Sequence, residues 1–107
     1  MNPIRTVLAE ELENSQRMLE KYSEELEKVP KGSLVAKKIK GNVYHYLAYR
    51  DGPRVKFEYL GKLSKREIED RKKDRKLRGK YRKLMSDLRK QITFLERALR
   101  EQKRHAV

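Results

Sequence analysis

Two stretches of the chain hold the side chains most able to do chemistry. In "YHYLAYRDGPRVKFEYLGK", residues 44–62, five of the eight aromatic residues stand among Arg50, Arg54, Lys56 and Lys62. Tyrosine offers a flat ring for stacking and a hydroxyl for a phosphate oxygen. A neighbouring arginine or lysine adds charge, and the mixture suits nucleic acid. The second stretch, "RKKDRKLRGKYRK" at 71–83, is denser: nine of its thirteen residues are Lys or Arg, and only Asp74 opposes them. Successive helix residues turn by about 100°, so these cations surround the cylinder and cannot neutralise one another. Like charges three and four residues apart destabilise a helix, and a polyanion lying alongside relieves them. A solubilising helix is the plainer account of such a run. The basic aromatic stretch beside it in the sequence tips the balance toward nucleic acid.

Catalysis has less to work with. His45 and His105 are the only histidines, and neither stands in a metal-ligand or nucleophile–base spacing. On a strand, His45 reads as a surface or packing residue. The serines lie in helical, turn or cap contexts without a nucleophile elbow, and "PKGS" lacks the spacing of a phosphate loop. The carboxylates are mostly helix-surface partners for Lys and Arg. The chain reads as non-enzymatic, with no metal, no cofactor and no small-molecule substrate.

The bulk composition agrees. Apolar residues make up 36% and charged residues 42% of 107 residues, too little apolar material for a thick core, so a single module with thin helical layers is expected over 1–107. The formal charge of +13 is uneven: residues 1–30 carry four Lys/Arg against seven Asp/Glu, and residues 31–107 carry the basic excess. Such a field favours polyanions. There is no cysteine, and no run approaches the roughly 20 apolar residues of a membrane span. A cytoplasmic protein with no membrane role is expected, since the basic run also lacks an apolar insertion face.

Three segments must position these residues. Leu8, Leu12, Ser15, Leu19, Tyr22, Leu26 and Val29 alternate by three and four, which predicts a helix over 4–29, with Asn2 or Thr6 as its cap and Pro30 as its stop. Ser64 and Glu67 have capping-box spacing, opening a long helix over 64–105 whose first half is basic. Its second half carries Tyr81, Met85, Leu88, Ile92, Leu95, Leu99 and Gln102 at coiled-coil spacing. The two helices are expected to form an antiparallel coiled-coil stem. That seam leaves Met18, Leu84 and Phe94 poorly covered, which favours a homodimer over a monomer. Gly79 marks a bend or a close approach of the sheet.

Between the helices, 33–61 reads as a three-stranded antiparallel β-meander, completing an α+β fold. Gly41-Asn42 is the first turn. At "DGP" the missing N–H of Pro53 argues for a second loop of three or five residues. An odd loop puts Val43, Leu47, Tyr49, Val55, Phe57 and Tyr59 on one face, as core. Tyr44, Tyr46, Arg50, Arg54 and Lys56 then share the exposed face with Lys37. The nucleic-acid-binding set is therefore Lys37, Tyr44, Tyr46, Arg50, Arg54 and Lys56 on the sheet, and Arg71, Lys72, Arg75, Lys76, Arg78, Lys80 and Arg82 on the helix.

Over "YHYLAYRDGPRVKFEYLGKLSKRE" the sequence resembles the arm-type DNA-binding domains at the N-termini of tyrosine recombinases. It also resembles a family of short uncharacterised prokaryotic proteins with a KGSLV…YxYLxYR…YLGK hairpin, and hairpins near the starts of some transposases. The resemblance covers residues 31–67. It implies a mobile-element or regulatory context and a sheet that enters the major groove, with Tyr44, Tyr46, Arg50, Arg54 and Lys56 facing DNA. Here the sheet lies between two helices with no catalytic domain after it, so recombinase activity is not implied. DNA is favoured over RNA as partner. The rival is a coiled-coil adaptor for other proteins whose charge is only solubilising.

Overall fold

The computed structural model describes residues 2–105. Its elements run α1 (Pro3–Lys28), β1 (Ser33–Ile39), β2 (Asn42–Asp51), β3 (Arg54–Gly61) and α2 (Lys65–His105). This is the α+β arrangement of two helices with a three-stranded sheet between them in sequence. The chain divides into two compact units, one of α1 with α2 from Lys80 onward, the other spanning Val29–Gly79.

In the first unit, Asn2 caps α1: its Oδ1 accepts the Arg5 N–H at 3.3 Å, and Pro3 fills the first helical position, where a missing N–H costs nothing. Thr6 instead donates its hydroxyl back to the Asn2 carbonyl at 3.3 Å. Three contacts fix the direction of the pair. Asn2 Nδ2 donates to Gln102 Oε1 at 2.9 Å, Gln91 Nε2 donates to Ser15 Oγ at 2.8 Å, and the rings of Tyr22 and Tyr81 lie 5.8 Å apart. Positions rise on α1 as they fall on α2, so the helices are antiparallel. Met85, Leu88 and Leu95 are buried, and Leu8, Leu12, Leu19, Tyr22, Leu26, Ile92 and Leu99 are half-buried. The periodic positions are thus the ones withdrawn from water. Among the described residues Ser15 is the most deeply enclosed side chain, at 0% exposure.

In the second unit the strand order is β1-β2-β3, antiparallel throughout, which leaves β1 and β3 as the sheet's two edges. The first hairpin closes with Ile39 opposite Asn42, so the turn is Lys40-Gly41 and not Gly41-Asn42. Both turn residues have positive φ, the backbone of a type I′ turn, whose twist matches that of the strands. The second closes with Asp51 opposite Arg54, leaving Gly52 and Pro53 as a two-residue turn. Glycine takes the first position at φ 62°, and proline sits inside the turn, where the ladder does not need its N–H. A register shift at His45/Tyr46 marks a bulge between β2 and β3.

α2 opens on Ser64, whose Oγ accepts the Glu67 N–H at 3.1 Å. The Glu67 carboxylate takes the Ser64 hydroxyl proton as its partner, also at 3.1 Å, so one amide is satisfied here and not two reciprocally. Gly79 lies within α2 with nothing near enough to meet a Cβ, so the sheet does not approach it closely.

Candidate nucleic-acid interface

The period of two along each strand and the register above decide what each sheet face presents. On one face stand His45 and Leu47, both buried, with Leu34, Ala36, Tyr49 and Glu58 in register beside them. α2 approaches this side at Leu34, which shares a depression with Arg71, Lys72 and Arg75. Arg54 and Lys56 belong to this face too, and Lys56 pairs with Asp51 at 2.7 Å. The reading that puts Arg54 and Lys56 beside Tyr44 and Tyr46 is therefore corrected. A two-residue turn, not an odd one, carries the chain from β2 to β3 and exchanges the faces of the third strand.

The same parity brings Val55, Phe57 and Tyr59 onto the open face with Tyr44 and Tyr46. Phe57 is 62% exposed and Tyr59 59%, so neither is core. Tyr46 stands opposite Val35 on one side and Tyr59 on the other, while Ala48 lies between Ser33 and Phe57. The Tyr59 ring is 5.3 Å from Tyr46 and 6.4 Å from Tyr44, tilted to both. Tilted rings at this distance attract edge to face. Lys62 Nζ sits 5.9 Å from the centre of the Tyr44 ring, a cation–π contact of about 0.5–1 kcal/mol at an exposed site. Two neighbouring depressions share Tyr46, one reaching Ile39 and Tyr44, the other Lys37 and Phe57. Lys37 and Arg50 are exposed on the same face. Asp51 and Glu58, the acidic residues of the sheet, both belong to the opposite face.

The basic run divides by exposure. Lys72, Lys73, Arg75 and Lys76 are exposed, and Arg71 is half-buried. Among the described residues, ion pairs join Lys28 to Glu25 and Lys56 to Asp51, and neither involves these cations. Arg78 differs: it is 8% exposed, and its Nη1 donates to the Val29 carbonyl at 3.0 Å. That bond ties α2 to the chain just after α1, and it takes Arg78 out of the solvent-facing set. Lys80 and Arg82 are exposed in the helix-pair unit.

Sequence reasoning missed Phe57, Tyr59 and Lys62. The signal was present in "DGP", where a Gly-Pro turn satisfies proline's lack of an N–H without lengthening the loop. His45 packs on the covered face, and its Nδ1 has no hydrogen-bond partner. The side chain of His105 lies outside the described residues. Among the described residues no group of three His, Asp or Glu side chains is placed to hold a metal ion, and no helix is long and apolar enough to cross a membrane.

Residues 8–70 match a protein family described as a domain of unknown function, DUF6788. The match spans more than half of the chain, and the protein belongs to that family. It takes in most of α1, the whole sheet and the start of α2. Neither the curated proteins nor the solved structures contain a match to the chain.

Proposed function

We propose that this member of the DUF6788 family is a non-enzymatic, cytoplasmic nucleic-acid-binding protein whose partner is DNA. The observation that carries the reading is the row of exposed cations at Lys72, Lys73, Arg75 and Lys76, with no carboxylate paired to them among the described residues. Phosphates are the natural counterions of such a row, and their contacts set affinity without reading sequence. The open sheet face adds rings and three further cations, Lys37, Arg50 and Lys62, in the same unit. The likeness of 31–67 to recombinase arm domains supports DNA and a mobile-element setting.

The test is fluorescence anisotropy of the full chain against labelled DNA across a salt series. Replacing Lys72, Arg75 and Lys76 together by Gln is expected to weaken binding at low salt. It is also expected to reduce the slope of log K against log[salt] by about 2 to 3, roughly 0.9 for each phosphate that the variant no longer neutralises. Binding that is salt-independent, or unchanged in the triple variant, sinks the proposal. The adaptor reading then takes its place, with the exposed Ile4, Val7 and Phe94 of the helix pair as its contact residues.

A further inference from the structure

We infer that the open face of the sheet is a stacking platform for the unpaired bases of single-stranded DNA, with Tyr46, Phe57 and Tyr59 as the rings and Lys37, Arg50 and Lys62 as the phosphate clamps around them. The inference rests on the nucleic-acid reading above and names the form of ligand that this face takes.

Phe57 is the deciding residue. A phenyl ring has no donor or acceptor, so it can neither hold a phosphate nor read a base edge, yet it stands 62% exposed in the row Ser33-Ala48-Phe57. Its two row neighbours are small and leave the ring's flank open. A protein reading duplex DNA through the major groove presents hydrogen-bonding side chains to base edges. Here Val35, Ile39, Val55 and Phe57 occupy those positions instead, all exposed and all without polar atoms. Duplex bases keep their π-faces stacked on one another, and the rings of this face could not reach them. Unpaired bases offer those faces freely, and stacking on aromatic side chains is tolerant of sequence.

The charges argue for a polynucleotide over a second copy of this chain or another protein's apolar face. Lys37 and Arg50 flank the rings, Lys62 lies over Tyr44, and the sheet's carboxylates, Asp51 and Glu58, are on the other side. Two copies meeting face to face would bring like charges together in a chain of net charge +13. A single strand supplies flat apolar surfaces and an anion at each step, matching both components. The choice of DNA over RNA follows the proposed function, and the oligouridine arm below tests it.

The experiment titrates the full chain into labelled oligothymidine, oligouridine and a DNA hairpin duplex carrying the same number of phosphates, at matched salt. The proteins are wild type, Phe57→Ala, Phe57→Trp and Phe57→Leu, with far-ultraviolet circular dichroism as the fold control. Wild type is expected to favour oligothymidine over duplex by at least about 10-fold, with quenching of its tyrosine emission. Phe57→Ala is expected to lose roughly 5- to 100-fold for oligothymidine. Phe57→Leu, apolar but without a ring, should behave like Phe57→Ala, and Phe57→Trp should restore binding, while duplex affinity stays as in wild type. Duplex bound as tightly as single strand, oligouridine bound more tightly than oligothymidine, or Phe57→Leu equal to wild type would overturn the inference. In each of those cases salt-dependent duplex binding would persist and the broader reading would stand. Absence of binding to all three ligands is the separate result that removes both.

Discussion

Asp51 and Arg54 are direct cross-strand partners, so β2 passes to β3 through Gly52 and Pro53 alone. Side chains alternate along a strand, and this pairing therefore fixes on which side each residue of β3 stands as far as Tyr59, where the bulge begins. Phe57 and Tyr59 fall with Tyr46 on the open face, and Arg54 and Lys56 fall with the buried Leu47. Two residues of turn thus decide whether the sheet shows water a basic surface or an aromatic one.

The entry to the sheet is a second point of tight control. Gly32 has φ 107°, and a Cβ built there would lie 2.8 Å from Leu47 Cγ and Cδ1 and 3.0 Å from the Ala48 carbonyl. Gly32→Ala combines backbone strain with overpacking against a buried leucine, and a loss of about 2–4 kcal/mol is expected. Urea unfolding followed by circular dichroism measures it. A loss below about 0.5 kcal/mol, the range of ordinary surface substitutions, would show that Leu47 moves aside freely.

Arg78 is expected to act on stability and not on affinity. Truncating it to Ala leaves the Val29 carbonyl without the donor that reaches it at 3.0 Å. Hydrogen bonds to charged groups contribute about 1.5–3 kcal/mol, so a loss of that order is anticipated in denaturant titration. Salt-dependent DNA binding, extrapolated to the folded protein, should fall less than for Lys76→Gln. The reverse order would place Arg78 at the ligand.

Gly79 stands in α2 with open space where its side chain would be. Alanine there reduces the freedom of the unfolded chain and meets nothing in the folded one, so Gly79→Ala should stabilise by about 0.4–1 kcal/mol. A rise in the urea midpoint checks this. A fall would mean that the glycine is needed for a bend or a close contact.

Ser15 occupies a seam position where leucine would be the ordinary choice, and at 0% exposure it has no room for one. Ser15→Leu is expected to destabilise by about 1–3 kcal/mol through overpacking. Ser15→Ala should cost less than about 1 kcal/mol, because Gln91 is exposed and its amide can return to water. Thermal unfolding of the two variants side by side tests the ordering. A leucine variant more stable than wild type would refute the packing argument.

These residues also mark how far sequence alone reaches. The three-four spacing from Leu8 to Leu26 and from Tyr81 to Leu99 predicts the helices, and Pro30, Ser64 and the strand alternation predict where they stop and start. That information is local and periodic, so it survives without coordinates. Ser15 was legible as a seam residue, but its hydrogen bond to Gln91 was not, because Gln91 lies outside the apolar series. The aromatic site was half legible: Tyr44 and Tyr46 follow from β2 alone. Phe57, Tyr59, Arg54 and Lys56 depend on a turn of two residues where the sequence suggested three or five, and odd against even length exchanges the faces. Arg78 was indistinguishable from its neighbours in a run of like residues, since its bond to the Val29 carbonyl comes from the fold and not from the local sequence.

The sheet has two edges, and both are guarded by positive charge: Lys37 and Lys38 on β1, Arg54 and Lys56 on β3. Unpaired strand edges invite other strands, and lysines along them keep copies of a protein apart. In the complex proposed above, a polyanion neutralises Lys37 of that guard and offsets much of the chain's net charge. The form loaded to charge balance is then the one with the least mutual repulsion between copies, and colloidal stability should pass through a minimum where bound phosphate charge balances the +13 of the chain.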